Sequence, residues 1–132
     1  MDEVVLRQAT PDDNAFIYAT MLRSLAHSSP TFEHVNTSAF YKNYAKVVQH
    51  ILRKPGTETW VACLQSEPEC ILGYAIHEAD VLHFAFVKKA WRGQGIGRQL
   101  ITLVPVTVCT HITNIGLALA KKHSWDFNPF LI

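Results

Sequence analysis

The sequence turns on one stretch, Val81-Leu82-His83-Phe84-Ala85-Phe86-Val87-Lys88-Lys89-Ala90-Trp91-Arg92-Gly93-Gln94-Gly95-Ile96-Gly97. Residues 81–87 are mostly apolar, β-branched or aromatic, as a strand requires. Lys88 to Trp91 connect the strand to a run with glycine at every second position, and Arg98-Gln99-Leu100-Ile101 continue as a helix. Glycine at a helix start lets backbone approach a ligand closely, and the first amides of the helix have no intrahelical partners. The positive helix end adds to the attraction, so the segment reads as an anion site suited to phosphate. Arg92 and Arg98 add charge-assisted contacts. On the glycines alone, a bare tight strand-to-helix turn is the competing reading. Two familiar phosphate loops do not fit. The dinucleotide fingerprint needs its strand inside a βαβ unit and an acid ~20 residues on, but here a hairpin precedes the strand and residues 115–120 carry no acid. The Gly-Lys-Ser/Thr of the Walker pattern is absent.

Upstream, Thr59–Gln65 and Cys70–His77 read as strands, with turns at Ser66-Glu67-Pro68-Glu69 and Glu78-Ala79-Asp80. Together with Val81–Val87 they predict an antiparallel meander. At the start of the chain, Val4-Val5-Leu6 is a short strand and Thr10-Pro11-Asp12-Asp13 is a helix start, with Asp13 at the N3 position. Ile17, Met21 and Leu25 recur every four residues and predict a first helix to about residue 26. A second helix begins near Thr37-Ser38, carries Phe40, Tyr44, Val47, Val48, Ile51 and Leu52 on its apolar stripe, and stops at Lys54-Pro55-Gly56. Downstream, Pro105 limits the helix after the glycines, Val106–Ile112 is β-like, Asn114–His123 is a short helix, and Trp125–Ile132 is a strand-like apolar tail. The order is β-α-α-β-β-β-α-β-α-β, an α/β domain with a mixed, mostly antiparallel central sheet flanked by helices. At 132 residues the chain is read as a single domain, 1–132.

Arg92-Gly93-Gln94-Gly95-Ile96-Gly97 resembles the R/Q-x-x-G-x-G/A signature of the GNAT N-acetyltransferase superfamily. Phe86-Val87 matches the end of that family's fourth strand, and Trp91 the aromatic slot before the arginine. The resemblance spans nearly the whole chain from Leu6-Arg7-Gln8-Ala9-Thr10 onward and implies a GNAT-like fold. It implies acetyl-CoA as co-substrate, with the pyrophosphate cradled by backbone amides of Arg92, Gly93, Gln94, Gly95, Ile96 and Gly97 and with Arg98 beside them. The edge from Ala85 through Phe86 to Val87 would pair with the pantetheine arm, where the fourth and fifth strands splay. The Val87 N–H would polarise the thioester carbonyl, and Asn114 would be a further cofactor-binding residue. In the family an amine attacks the thioester directly, so the expected function is acetyl transfer to a primary amine, with positioning and an oxyanion-stabilising amide supplied by the protein.

The family's base often lies on the fourth strand. His83 stands four residues before Val87, and strand alternation puts the two on one face. Its ordinary pKa of ~6.5 suits proton removal at neutral pH. A buried strand histidine satisfied by hydrogen bonds is the competing reading. His77, across the hairpin, is a secondary participant. The tyrosine that serves as acid in many members falls on Lys121, a departure from the pattern; Lys121 also reads as a solvated helix charge, and His123 as a helix-end residue. Cys109 and His111 alternate on one strand without a third ligand, so no metal is expected. Helical spacing reads Phe40 and Tyr44 as core packing.

Composition bounds the rest. With 12 Lys+Arg against 11 Asp+Glu the net charge is +1, which argues against nucleic-acid binding by charge. No apolar run approaches the ~18 residues of a membrane span, and the N-terminus lacks signal-peptide features. Three cysteines without CxxC spacing read as reduced thiols, giving a cytoplasmic expectation. Two other functions compete with transfer: a non-catalytic CoA-binding or interaction module, motivated by Lys121, and a nucleobase-modifying enzyme on the same scaffold, which the near-neutral charge disfavours. The expected partner is a small-molecule or peptide amine. The apolar terminus Phe130-Leu131-Ile132 at a sheet edge predicts a homodimer through that end.

Overall fold

The computed structural model describes residues 2–132, apart from the side chains of Asn114 and Ile115. The elements run β1 (Val4–Gln8), α1 (Asn14–Ser28), α2 (Thr37–Arg53), β2 (Thr57–Leu64), β3 (Glu67–Glu78), β4 (Val81–Val87), α3 (Ile96–Ile101), β5 (Val108–Cys109), α4 (Asn114–His123) and β6 (Asp126–Phe127). This is the order expected from the sequence. The strands form one sheet in the sequence order β1 to β6. Pairing is antiparallel from β1 to β4 and parallel for β4–β5 and β5–β6.

Local chemistry sets the helix starts. The Asp13 carboxylate accepts the Thr10 backbone N–H at 2.7 Å, ordering the short 3-10 turn that feeds α1. Arg7 on β1 donates both guanidinium nitrogens to the same carboxylate, at 2.7 and 2.9 Å, so helix entry and sheet edge are tied together. Asn36, a cap that the sequence reading passes over, accepts from Ala39 N–H at 3.1 Å and starts α2.

The sheet has a helix layer on each face. Ile17, Met21 and Leu25 of α1 and Phe40, Val48 and Ile51 of α2 cover Val61, Tyr74, Ile76 and Phe84. Ile96, Leu100 and Ile101 of α3 cover Ala62, Leu72, Ala75 and Leu82 on the other face. No helix among the described residues is long and apolar enough to cross a membrane.

Three expectations need correction. The turn placed at Ser66–Glu69 is tighter, because β3 already begins at Glu67 and register shifts at Cys63 and Leu64 absorb the difference. The β-like run 106–112 shrinks to Val108–Cys109. Its last backbone contact with β4 is Thr110 N–H to Leu82 C=O at 3.2 Å; beyond that, the ring of His111, not its amide, reaches the carbonyl of His83. The tail from Trp125 forms only the two-residue β6, after which Asn128 folds it into a turn by accepting the Phe130 N–H at 3.0 Å. Pro129 has no N–H to give a ladder.

Candidate active site

The short β5 is what opens a site. β4 and β5 pair only at Val81–Val108 and Leu82–Cys109, then diverge. A cleft of about 660 Å³ fills the wedge between them. It runs from the glycine loop along Phe84 to Val87 to His111, with Ser24 and Ser28 of α1 on its wall.

The backbone of β4 points into this wedge in a predictable way. Lys88 N–H donates to Leu72 C=O at 2.8 Å, and Phe86 and Phe84 pair with Tyr74 and Ile76. Antiparallel alternation therefore aims the peptide groups of Ala85 and Val87 away from β3, toward the open edge. Arg92 Nε already donates to Val87 C=O at 3.0 Å, which folds the loop back over the strand end.

At the loop, Gly93 and Gly95 have φ of +81° and +86°, and Gly95 caps α3. Both conformations suit glycine and penalise other residues. Neither position would meet a neighbouring atom with an added Cβ, so glycine serves the backbone conformation here and leaves open space above it. Arg92, Gly93, Gly95, Ile96, Gly97 and Arg98 all line the cleft, whereas Gln94 is exposed and does not. A backbone cradle with two flanking arginines fits the diphosphate of a nucleotide-type ligand. The side chain of Asn114 lies outside the described residues, so the part expected of it has no geometry.

The expectation that His83 shares the Val87 face does not hold, and the reason is a bulge. Ile76 pairs with Phe84 but His77 pairs with Leu82, so β4 carries one extra residue at His83. A bulge re-aims the side chain that it carries. Leu82 packs with Ala85 and Val87, while His83 is fully buried and does not line the cleft. Its Nε2 meets Glu78 Oε1 at 2.8 Å and its Nδ1 meets Thr110 Oγ1 at 2.8 Å. Burial pushes the His83 pKa down, against the opposing pull of Glu78. Lys54, which donates to Glu78 at 2.8 Å, and His83 hold the Glu78 carboxyl below its usual range. His77 turns away and meets the Leu100 carbonyl at 2.9 Å.

Two side chains that the sequence reading gave no catalytic part meet beside the cleft. His111 lines it, and its Nε2 is hydrogen-bonded to the Tyr44 hydroxyl. Tyr44 is held by Phe32 and Phe40, with ring centroids 4.9 and 5.1 Å away. Burial pushes His111 down to about 4 and Tyr44 up to about 12. The alternation Cys109–His111 was visible in sequence; the partner on α2 was not, because 67 residues separate it from His111. Among the described lining residues there is no carboxylate, and His111 is the one imidazole. No set of three His, Cys, Asp or Glu side chains among the described residues could hold a metal. Lys121 and His123 are exposed on α4.

No curated protein matches the chain in sequence. Solved structures match in fold. The apo form of YjaB from Escherichia coli aligns over 76% of this chain and 63% of its own, at TM-score 0.54 and 19% identity; this chain thus spans less than two thirds of that relative. A GCN5-related N-acetyltransferase from Rhodopseudomonas palustris aligns over 94% and 68%, at 0.55 and 21%. The aminoglycoside N-acetyltransferase AAC(6')-Iy, in a complex with CoA, aligns over 100% and 93%, at 0.59 and 13%. The family model described as "Acetyltransferase (GNAT) domain" matches residues 26–117, a span that holds the β4–glycine-loop–α3 unit and both walls of the splay, and this chain therefore belongs to the GNAT family.

Proposed function

We propose that the protein is an N-acetyltransferase that moves the acetyl group of acetyl-CoA to a primary amine. One observation carries the reading: a single cleft joins the positive-φ glycine loop, the open edge of β4 and His111. Acetyl-CoA supplies the activated acyl group. Backbone amides of residues 92–97, with Arg92 and Arg98, hold its diphosphate. The outward peptide groups of Ala85 and Val87, with Phe86 between them, hold its extended arm, and the Val87 N–H stabilises negative charge developing on the acyl oxygen. Ser24, Ser28 and His111 bound the end of the cleft where the amine enters, with Tyr44 hydrogen-bonded behind His111. His83 acts from within the fold rather than as the group that touches the amine.

Isothermal titration with acetyl-CoA, followed by an acetylation assay on a panel of primary amines, tests the reading. Saturable binding with turnover is expected; absence of binding at millimolar acetyl-CoA would sink it. A second reading, a CoA-binding module without transfer, draws on exposed Lys121 in the tyrosine slot and on the lack of a carboxylate among the described cleft residues. It predicts binding without turnover. The exposed apolar side chains of Phe127, Phe130 and Leu131 beside the edge strand β6 support a homodimer through that end, which sedimentation at tens of micromolar checks.

A further inference from the structure

Tyr44 on α2, His111 and Thr110 after β5, His83 in the β4 bulge and Glu78 at the end of β3 form one unbroken hydrogen-bonded chain. Its proton order can be read from its acceptors. His111 Nδ1 faces the His83 carbonyl at 3.1 Å and Thr110 Oγ1 at 2.8 Å. A carbonyl only accepts, so Nδ1 carries the hydrogen and Nε2 accepts from the Tyr44 hydroxyl. His83 Nε2 faces the Glu78 carboxylate, so Nε2 carries the hydrogen and Nδ1 accepts from the Thr110 hydroxyl. Thr110 Oγ1 then accepts from His111 Nδ1. Every donor points one way, from Tyr44 to Glu78.

The two ends differ. One end is the half-buried Tyr44 hydroxyl, hydrogen-bonded to His111 on the cleft wall; its oxygen keeps lone pairs free for a further donor. The other is Glu78, whose partly exposed carboxylate sits beside Lys54. The middle is dry, with His83 at 0% and Thr110 at 2% exposure. We infer that this chain is a proton relay, which rests on the acetyl-transfer reading: Tyr44 receives the proton shed by the attacking amine, and His111, Thr110 and His83 pass a proton on to Glu78, which returns it to water. As the amine nitrogen bonds to the acyl carbon and the carbon–sulfur bond breaks, its electron pair leaves with sulfur. The nitrogen loses one proton to Tyr44 Oη; the Tyr44 proton moves to His111 Nε2, the His111 Nδ1 proton to Thr110, the Thr110 proton to His83 Nδ1, and the His83 Nε2 proton to Glu78. Each group between amine and Glu78 ends with the proton count it began with. A tethered imidazole cannot exchange its two nitrogens by turning, so the starting order returns when a proton from water passes back from Glu78 through His83, Thr110 and His111 to Tyr44, which releases its own to the CoA thiolate. The His83 carbonyl favours the restored Nδ1–H at His111. The groups facing the two rings are Glu78, Lys54, His77, Tyr44 and Thr110, and they leave both rings neutral and Glu78 ionised, as the starting state requires.

Thr110 is the place to cut the relay, because it neither lines the cleft nor titrates. Thr110→Val removes the hydroxyl at constant shape, and Thr110→Ser keeps it. Turnover is measured on the fastest amine among a polyamine, an aminoglycoside, an arylalkylamine and a lysine peptide, with acetyl-CoA affinity by calorimetry. Thr110→Val is expected to lower kcat by about tenfold or more, with KM and acetyl-CoA affinity within about twofold and Thr110→Ser near wild type. Glu78→Gln, which keeps an acceptor for His83 but binds a proton poorly, is expected to do the same and serves if Thr110→Val does not fold. Imidazole ¹⁵N spectra of the free protein are expected to give Nδ1–H at His111 and Nε2–H at His83. Folded Thr110→Val, or Glu78→Gln in its stead, turning over as fast as wild type would overturn the relay alone, as would the opposite tautomer at either ring. Wild-type protein that binds acetyl-CoA yet acetylates no amine would overturn the transfer reading and the relay with it.

Discussion

The Oε1 of Glu78 lies 2.8 Å from Nε2 of His83 and accepts its hydrogen, anchoring a fully buried imidazole to a carboxylate at the protein surface. That contact exists because β4 bulges at His83. It fixes the tautomer of His83 and, through Thr110, that of His111.

The two rings make the fold sensitive to acid. Burial lowers both pKa values, and for His111 the value falls from 6.5 to about 4. The unfolded chain therefore takes up protons first as pH drops. The stability is present in full above about pH 6.5 and is lost as pH falls toward 4, by about 3 kcal/mol for a shift of the His111 size. Urea midpoints at pH 7, 5.5 and 4.5 should decline, and His111→Gln should flatten the decline. A profile for the parent that stays level over this range would show that the rings are not held neutral.

Asp13 holds β1 to α1 through Arg7, and its carboxylate is almost fully buried. The hydrogen bond from Arg7 keeps its pKa below the usual range, so its stabilisation is present at neutral pH and fades as pH drops below about 4. Asp13→Ala leaves a partly buried guanidinium unpaired and frees the Thr10 amide. Because Arg7 keeps some solvent, the cost should be about 2 kcal/mol, below that of a fully buried pair. Exposed Asp12→Ala should stay within about 0.5 kcal/mol. Equal midpoints for the two variants would refute the assignment.

Most of the fold was legible because it is local. Thr10-Pro11-Asp12-Asp13, the apolar spacing of α2 and the glycine run each fix a start or a stop through neighbours in sequence. The strand β4 was read to the residue, Val81–Val87. What alternation could not supply was the bulge, since period-2 counting assumes that each residue has one partner across the ladder. Counting from Val87 put His83 on the cleft face, and one extra residue turned it inward. Tyr44 was legible as an aromatic on an apolar stripe and packs as one, against Phe40. Its hydroxyl's partner, His111, comes from a segment brought in by the sheet, which no helical pattern reveals. The short β5 was hidden for a related reason. Val106–Ile112 has the composition of a strand, but the divergence after Leu82 leaves nothing to pair with.

The left-handed backbone at Gly95 makes it the sharper probe of the loop. Alanine there meets no neighbouring atom, so the penalty is conformational and should be about 1 kcal/mol of stability. Its Cβ would also stand in the open space above the cradle. Acetyl-CoA affinity should fall by about tenfold, more than one such backbone penalty explains through folding alone. A calorimetric titration of Gly95→Ala giving wild-type affinity would remove this loop from the binding site.

Gly73 on β3 sets the position of the Val87 edge from behind. A Cβ at Gly73 would stand 2.6 Å from the Phe86 carbonyl oxygen and 3.2 Å from the Val87 Cα. Both are backbone atoms and cannot swing aside as a side chain could. Gly73→Ala must therefore push β4 away from β3, toward the splay that the cleft occupies. Overpacking of this kind costs about 1–3 kcal/mol. The displaced groups are those proposed to hold the extended arm of acetyl-CoA and its acyl oxygen, so turnover should fall further than stability does. Gly73→Ala with full turnover at a temperature where it is folded would mean that the spacing of Val87 from β3 does not govern the chemistry. A loss in kcat at unchanged diphosphate binding, read with CoA as the probe, would place the defect at the acyl end of the cleft rather than at the glycine loop.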